Sequence, residues 1–485
     1  MEPGAFTEEI KAEYQIIYSV IELLQGVSLA RTELDIKGEA FEHFLGGVFR
    51  EAMGQYFTPR PIVKFMVHML EPNESDKVID PACGSGGFLL YVLDKVKKYL
   101  EETLTPNDAK DRWKDFALYQ LFGIEINSQL ARVSMMNMII HEDGHSNIEN
   151  NDALDDTSKF HPRRDIRLGK YSLLLTNPPF GAVIKIREHD YLKEYELGTK
   201  EKPRNRQNTE ILFIERCVDY LKPGGRMGIV LPDGILTNSS NQYVRDFITR
   251  RAQILAVVSL PQTAFRRPHA KGGGGTGSGV KASLVFLRKK KEGEQLPDNY
   301  PVFMAIAEHI GYDSTGRPDK NEFSEIVEAY KKFEKKRGID FFLKAPPLSF
   351  GVGQDELQER LDPFYHKPEF KDILHTSYNT ARLLDILQIV ESGSRPKGGV
   401  RTIESGIPSL GGEHLNSDGG FDFSNIRFVS EDYYKKQTKG KVTYNDILIV
   451  KDGATTGKVA IVRENFPYKD CLINEHLFLK TQIRV

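Results

Sequence analysis

Cysteine is scarce in this chain. Cys83, Cys217 and Cys471 are the only three in 485 residues, scattered too widely for a disulfide framework or a zinc site. No apolar run approaches the ~18 residues a membrane-spanning helix needs. The opening Met-Glu-Pro-Gly-Ala-Phe lacks a basic segment followed by an apolar stretch, so no secretory leader is expected. These absences point to a reducing, cytoplasmic setting with no membrane partner. Charge of one sign is also lacking: the net value is −2, which does not advertise a nucleic-acid binder. Local clusters run against that balance, at 185–206, 286–291 (FLRKKK) and 331–337 (KKFEKKR). Any one of them can be a solvated face, and a binding surface depends on their distribution.

What is present is ordinary globular material, 40% hydrophobic and 28% charged, in a length that suits several domains. Ile10, Tyr14, Ile17, Ile21 and Leu24 recur at helical spacing, so 7–25 reads as an amphipathic helix, with a second over 39–53. From about residue 60 strands and helices alternate. Helices are expected at 60–70, 88–102, 128–141, 208–222 and 240–251. Strands are expected at 77–80, 121–126, 171–176, 226–231, 254–260 and 283–288. Tyr171–Thr176 (YSLLLT) is apolar without a break, as in a strand buried on both faces. The alternation predicts an α/β fold with a doubly wound, mainly parallel sheet. Lys271–Gly279 (KGGGGTGSG) reads as a loop. A charged helix leading out of this domain is expected over 319–345 and a linker over 346–380, followed by a β-rich region punctuated by glycine. The boundaries are thus 1–53 for an N-terminal helical region, 54–318 for the α/β domain, 319–380 for helix and linker, and 381–485 for the last domain.

Two strand-end loops carry the chemistry. Asp80-Pro81-Ala82-Cys83-Gly84-Ser85-Gly86-Gly87-Phe88 joins a strand to a helix, where glycines permit a sharp turn and close approach of a ligand. The helix N-terminus behind it offers free N–H groups. A phosphate-binding P-loop is excluded because Phe88 stands where Lys is required. Leu89 likewise breaks the dinucleotide spacing. Glu125, in GIEI after the next strand, is placed to accept hydrogen bonds from ribose hydroxyls. Its distance from the glycine turn is about twice the usual ~20 residues, so 103–120 holds an insertion or a lengthened helix. Asp152 is a candidate for the amino group of a bound adenine.

The second loop is Asn177-Pro178-Pro179-Phe180, directly after YSLLLT. Two prolines fix the exit from the strand and remove two donors. The Asn177 carboxamide oxygen and the Pro178 carbonyl are then acceptors for an exocyclic amino group, and Phe180 offers a face for stacking. An Asp362…Glu369-Phe370-Lys371 arrangement suggestive of a nuclease lies in a proline-containing segment with no strand around it and is set aside. His141, His145 and His161 have no metal-site spacing, and no metal is expected.

In this order, the motifs resemble the amino-methyltransferases of DNA, most closely the modification subunit of type I restriction–modification systems. Gly54-Gln55-Tyr56-Phe57-Thr58-Pro59, Leu221–Gly225 and Pro261-Gln262-Thr263-Ala264-Phe265 extend the match, which covers roughly residues 5–290. Cofactor motifs preceding Asn-Pro-Pro-Phe mark the gamma group. The resemblance implies a Rossmann-like methyltransferase sheet and S-adenosyl-L-methionine as cofactor. It implies Tyr56, Phe57, Thr58, Asp80, Pro81, Ala82, Gly84, Ser85, Gly86, Gly87, Glu125 and Asp152 as its contacts, and Asn177, Pro178, Pro179 and Phe180 as the catalytic set. It selects adenine N6 in double-stranded DNA, with base flipping. The Asn-Pro-Pro-aromatic geometry alone would also suit cytosine N4, RNA or a protein glutamine, and a non-catalytic DNA-binding subunit is a further alternative. Homo-oligomers, or assembly with specificity and restriction subunits, are implied partners. From near residue 380, Ser392-Gly393-Ser394-Arg395-Pro396, Ile407–Leu410 and Gly453–Lys458 resemble part of a target recognition domain of a type I specificity subunit, without its spacer helix.

Overall fold

A computed structural model describes residues 12–26, 58–141, 147–185, 190–199, 204–265, 280–313, 315–336, 338–370, 387–396, 404–416, 418–451 and 456–483. The chain divides into two compact units, Met1–Asp372 and Ile373–Val485. The helix expected over 39–53, with Tyr56 and Phe57, lies outside the described residues. Of the first expected helix, α1 (Tyr14–Leu24) is described.

In the first unit α2 (Arg60–Leu70) leads to β1 (Val78–Asp80) and α3 (Gly87–Thr103). The long spacing before Glu125 is filled by a separate helix, α4 (Pro106–Tyr119), which begins where the Thr105 hydroxyl caps the Asp108 N–H and Pro106 fits the first turn. Next come β2 (Leu121–Ile124), α5 (Ser128–Ile140), β3 (Asn147–Glu149), β4 (Tyr171–Thr176) and a hairpin of β5 (Val183–Lys185) with β6 (Arg206–Asn208). Then follow α6 (Thr209–Tyr220), β7 (Leu221–Pro232), α7 (Asp233–Thr237), α8 (Gln242–Arg251), β8 (Ala252–Ser259) and β9 (Ala282–Lys289).

β10 (Pro301–Ile306), the hairpin β11 (Ile310–Tyr312) and β12 (Pro318–Asn321), α9 (Phe323–Lys336), β13 (Phe342–Leu343) and β14 (Leu348–Gly353) complete the unit. Here the sequence reading needs correcting. The helix expected over 319–345 spans only Phe323–Lys336, and it does not lead outward. Phe323, Ile326, Ala329, Tyr330 and Phe333 are buried in the core, with the charges on the other face. The expected linker over 346–380 contains β14, which pairs antiparallel with β10 from Leu348 to Gly353.

Ten strands form one sheet in the order β13-β14-β10-β8-β9-β7-β4-β1-β2-β3. The run β3-β2-β1-β4-β7 is parallel, so its carboxyl ends share one edge. β4 is buried at all six positions because it sits mid-sheet under helices on both faces. Leu173 and Leu175 enter the core beneath α2, α3, α4 and α9, whereas Tyr171 and Leu174 enter the one beneath α6 and α8. The strand expected over 121–126 ends at Ile124, which puts Glu125 just beyond the edge.

A polar knot ties three strands together at the opposite edge. Arg226 donates to both oxygens of buried Asp76, at 3.1 and 2.7 Å, and Ser172 Oγ donates to Asp76 Oδ1 at 2.7 Å. The Lys77 N–H in turn donates to Ser172 Oγ at 2.9 Å. Removing one partner of such a pair strands the other's charge. Asp76→Ala is therefore expected to cost about 3 kcal/mol, discounted to the low end because Arg226 is partly exposed. Urea unfolding checks this, and a midpoint unchanged from the parent would refute it.

The second unit has a four-stranded antiparallel sheet, β15 (Leu387–Ser392), β21 (Leu477–Ile483), β18 (Ile447–Val450) and β19 (Val459–Ile461), in that order. A three-stranded sheet orders β17 (Arg427–Val429), β16 (Ile407–Leu410) and β20 (Leu472–Ile473). The short helix α10 (Glu431–Lys436) follows β17. Leu410, Leu448, Val450, Cys471, Ile473 and Leu477 form its core, edged by Phe421, Phe423, Phe466 and Tyr468 ring against ring.

Candidate active site

The carboxyl ends of β1 to β4 bring together residues as far apart in sequence as Asp80 and Asn177. β1 ends at Asp80, β2 runs into Glu125, β3 into Asn150–Asp152, and β4 into Asn177. A crevice at this edge is where open α/β sheets bind ligands.

At β1, Gly84 (φ 55°) and Gly86 (φ 85°) both adopt the left-handed backbone. Gly86 caps α3 and allows α5 to press against the turn, since a Cβ there would lie 2.8 Å from Ser134 Oγ. Around Gly84 a Cβ would meet nothing within 4 Å among the described residues. Asn137 Nδ2 donates to the Ser85 carbonyl at 2.9 Å and holds the loop from the same helix. Ser134 and Asn137 were missed in the sequence, although a polar residue within the apolar run MMNMII is a usable sign of a buried partner.

Glu125 ties the elements together. Its Oε2 accepts the Gly84 N–H at 3.0 Å, and its Oε1 accepts the Asn127 N–H at 2.8 Å. Burial raises its pKa against these two bonds. A carboxylate has about four lone-pair positions, so acceptor capacity remains for ribose hydroxyls. Beside it Ile126 is 61% exposed, an apolar surface at a polar edge and another residue the sequence did not single out. Asn150 Nδ2 bonds the Glu125 carbonyl at 2.8 Å and joins the ends of β2 and β3. Asp152 follows, with Oδ1 accepting the Leu154 N–H at 2.9 Å.

Asp80 is wholly buried. Its Oδ1 accepts the Ala82 N–H at 3.1 Å, while Oδ2 completes no hydrogen bond among the described residues. Burial pushes its carboxyl up to about 7, against the nearby Thr176 hydroxyl and the Ala82 N–H, with the Glu125 charge adding to the rise. The arrangement is a glycine turn, a helix N-terminus, a buried acid with a spare oxygen, a ribose-compatible glutamate and an apolar shelf. These residues fit S-adenosyl-L-methionine.

At β4, Asn177 Nδ2 donates to Thr58 Oγ1 at 2.9 Å, and Oδ1 is buried with no partner among the described residues. Pro178 is buried and Pro179 exposed. The Phe180 ring is half-buried and meets Phe265 edge to face at 6.3 Å. The chain leaving Phe180 is pinned by the start of α6. Glu210 Oε2 accepts the Gly181 N–H at 3.2 Å, and both the Thr209 hydroxyl and its N–H donate to the Ala182 carbonyl at 3.0 Å. Glu210 and Thr209 had no role in the sequence reading, and Phe265 entered it only within a matched motif, because nothing local marks a contact made across the sheet edge.

Two discarded or neutral readings can also be located. Asp362 accepts from Arg360 Nε at 2.7 Å and from the Tyr365 N–H at 3.2 Å, so it braces a turn. In FLRKKK, Lys289 and Lys290 bond the Leu221 and Thr249 carbonyls, and Arg288 pairs with Glu294, so these cations serve the edge away from the site.

The chain matches the family model described as N-6 DNA Methylase over residues 32–371. It is 27% identical over 242 residues to the methylase subunit of the type I restriction enzyme EcoKI from Escherichia coli (strain K12), covering 50% of this chain and 41% of that one. With the EcoEI methylase subunit from Escherichia coli it shares 25% identity over 286 residues, covering 55% and 51%. It thus spans about half the length of the curated relatives it matches. A crystal structure of a modification subunit of a putative type I restriction enzyme from Vibrio vulnificus YJ016 has the same fold, with a TM-score of 0.50 at 18% identity, over 70% of this chain and 64% of that one. No helix among the described residues is long and apolar enough to cross a membrane. With its glycine turn, its strand-end acids and Asn-Pro-Pro-Phe on one sheet edge, the chain belongs to the N-6 DNA methylase family.

Proposed function

We propose that the protein is a site-specific DNA methyltransferase that modifies adenine N6 in double-stranded DNA, using S-adenosyl-L-methionine, as part of a restriction–modification system. The observation that carries this is Asn177 Oδ1, a buried acceptor without a partner among the described residues, held on the strand edge that also carries the glycine turn, Glu125 and Asp152. Such an atom is costly unless a ligand satisfies it. An exocyclic amino group supplies the missing donor.

Adenine N6 is a weak nucleophile because its lone pair is delocalised into the ring. Asn177 Oδ1 and the Pro178 carbonyl would each accept one N6–H, drawing the nitrogen toward tetrahedral geometry and freeing the lone pair. They would also stabilise the positive charge that develops there, which is electrostatic catalysis combined with positioning. The cofactor would supply an electrophilic methyl group on a sulfonium sulfur, the C–S pair leaving with the thioether, so a single displacement needs no covalent enzyme intermediate and the methylated nitrogen then loses one of its two hydrogens to solvent. The target atom lies inside the duplex stack, and flipping it out costs a few kcal/mol. Stacking on Phe180, braced by Phe265, would offset part of that. Asp80 to Gly87, Glu125 and Asp152 are the proposed cofactor contacts, with Ile126 against the adenine face. Tyr56 and Phe57 remain candidates from the sequence.

The methylase and modification subunits it resembles are components of type I restriction enzymes, and we extend that setting to this chain. Its partners would be double-stranded DNA, together with specificity and restriction subunits or further copies of itself. The second unit, with its strand-rich core and the Ser392–Pro396 and Ile407–Leu410 segments, would serve as part of a target recognition domain. Incubating the chain with tritiated cofactor and unmethylated DNA, then mapping the modified positions base by base, tests the reading. Label on adenine N6 within one recurring sequence is expected. Label on cytosine, RNA or protein, or none at all, would overturn it.

A further inference from the structure

We infer that Thr58 is a positioning residue for Asn177, anchoring its carboxamide at the end of β4 with Oδ1 left for the substrate. This rests on the functional reading above. The contact spans 119 residues of sequence and joins the segment entering α2 to the end of β4. Thr58 Oγ1 takes the Asn177 Nδ2 hydrogen at 2.9 Å, while Oδ1 has no partner among the described residues.

The two ends of a carboxamide have nearly the same shape but opposite hydrogen-bonding character. Turned over, Asn177 would present two N–H donors to an amino group that is itself a donor, and neither hydrogen of that group would be held. A hydroxyl both donates and accepts, so Thr58 anchors the side chain through Nδ2 while the N–H groups of the substrate select the form with the oxygen outward. The anchor sits in a rigid place. Pro59 follows it directly and α2 begins at Arg60, with Ile62, Val63, Phe65 and Met66 of that helix buried in the core. The resemblance alone would make Thr58 a cofactor contact. The hydrogen bond assigns it to the methyl acceptor's side of the site.

Thr58→Val removes the oxygen at nearly constant shape, and Thr58→Ser keeps it. An unmatched buried Nδ2 should lower the population of the productive orientation, so kcat is expected to fall about tenfold in Thr58→Val. The dissociation constant for S-adenosyl-L-methionine, measured by calorimetry on the full chain, should stay at the parent value, and Thr58→Ser should restore kcat. A Thr58→Val variant with parental kcat, or one whose loss lies wholly in cofactor affinity, overturns the assignment. A double-mutant cycle of Thr58→Val with Asn177→Ala, read by urea unfolding, decides the contact without any turnover. Non-additivity of about fivefold in the unfolding equilibrium is expected, and strict additivity overturns the inference. A parent chain that methylates nothing would refute the functional reading instead, while the cycle still decides whether Thr58 holds Asn177.

Discussion

Asn177→Ala should lower methyl transfer by roughly a hundred- to a thousandfold, the loss typical of deleting one preorganised hydrogen-bonding group at a reacting centre. Cofactor affinity should hold. The reason lies in where the side chain is used. Asn177 stands at the end of β4 and touches Thr58, whereas the glycine turn and Glu125 are held by one another and by Asn137 of α5. On the proposed reading, removing the carboxamide would take an acceptor from the methylated nitrogen and leave the glycine turn and Glu125 in place. Truncation also relieves the cost of a buried Oδ1 without a partner, so the folded state should lose little stability. The measurement is a single-turnover rate with saturating cofactor, set beside a calorimetric titration with S-adenosyl-L-methionine. Equal losses in rate and cofactor affinity would show that Asn177 belongs to the cofactor site.

Much of this site was legible because its parts are local. Tyr171–Thr176 is apolar at every position, and only a strand covered on both faces tolerates that; the structure divides Leu173 and Leu175 from Tyr171 and Leu174 between two cores. Asp80–Phe88 and Asn177–Phe180 carry their turns in their own glycines and prolines. What the sequence concealed is non-local. Asn177 reaches Thr58, Gly181 reaches Glu210, and Phe180 reaches Phe265, pairings set by the order of strands across the sheet. The same applies to the far side of the first unit. β14 (LSFGVG) lies between prolines and glycines and looks like linker, yet its pairing with β10 makes it a strand. The charges over 331–336 extend the apparent helix and hide the apolar stripe by which α9 packs inward.

Asp80→Asn is expected to make the protein more stable above neutral pH while weakening cofactor binding. A carboxyl whose pKa is raised on folding binds its proton more tightly in the native state than in the unfolded chain. Its contribution to stability is then fullest below the ordinary value of 3.8 and is lost as pH rises through about 7. Over that window the loss amounts to at most about 4 kcal/mol. The cause is desolvation, since Asp80 is buried and Oδ2 completes no hydrogen bond among the described residues. Asparagine keeps an oxygen for the Ala82 N–H and places an N–H donor toward Thr176 Oγ1, a buried hydroxyl with no completed bond among the described residues. The variant's melting temperature should therefore exceed the parent's at pH 8 and converge with it near pH 4. Its slope between these values should be flatter. A carboxylate kept at such a cost makes sense if it meets a cation, and the proposed cofactor carries both an ammonium and a sulfonium. Loss of that charge should weaken cofactor binding about tenfold or more, and in the parent, affinity should strengthen from pH 6 to pH 8 as Asp80 ionises. A variant no more stable than the parent at pH 8 would show that the buried charge is compensated in the native protein. A more stable variant with unchanged cofactor affinity would separate the strain at β1 from any part in binding.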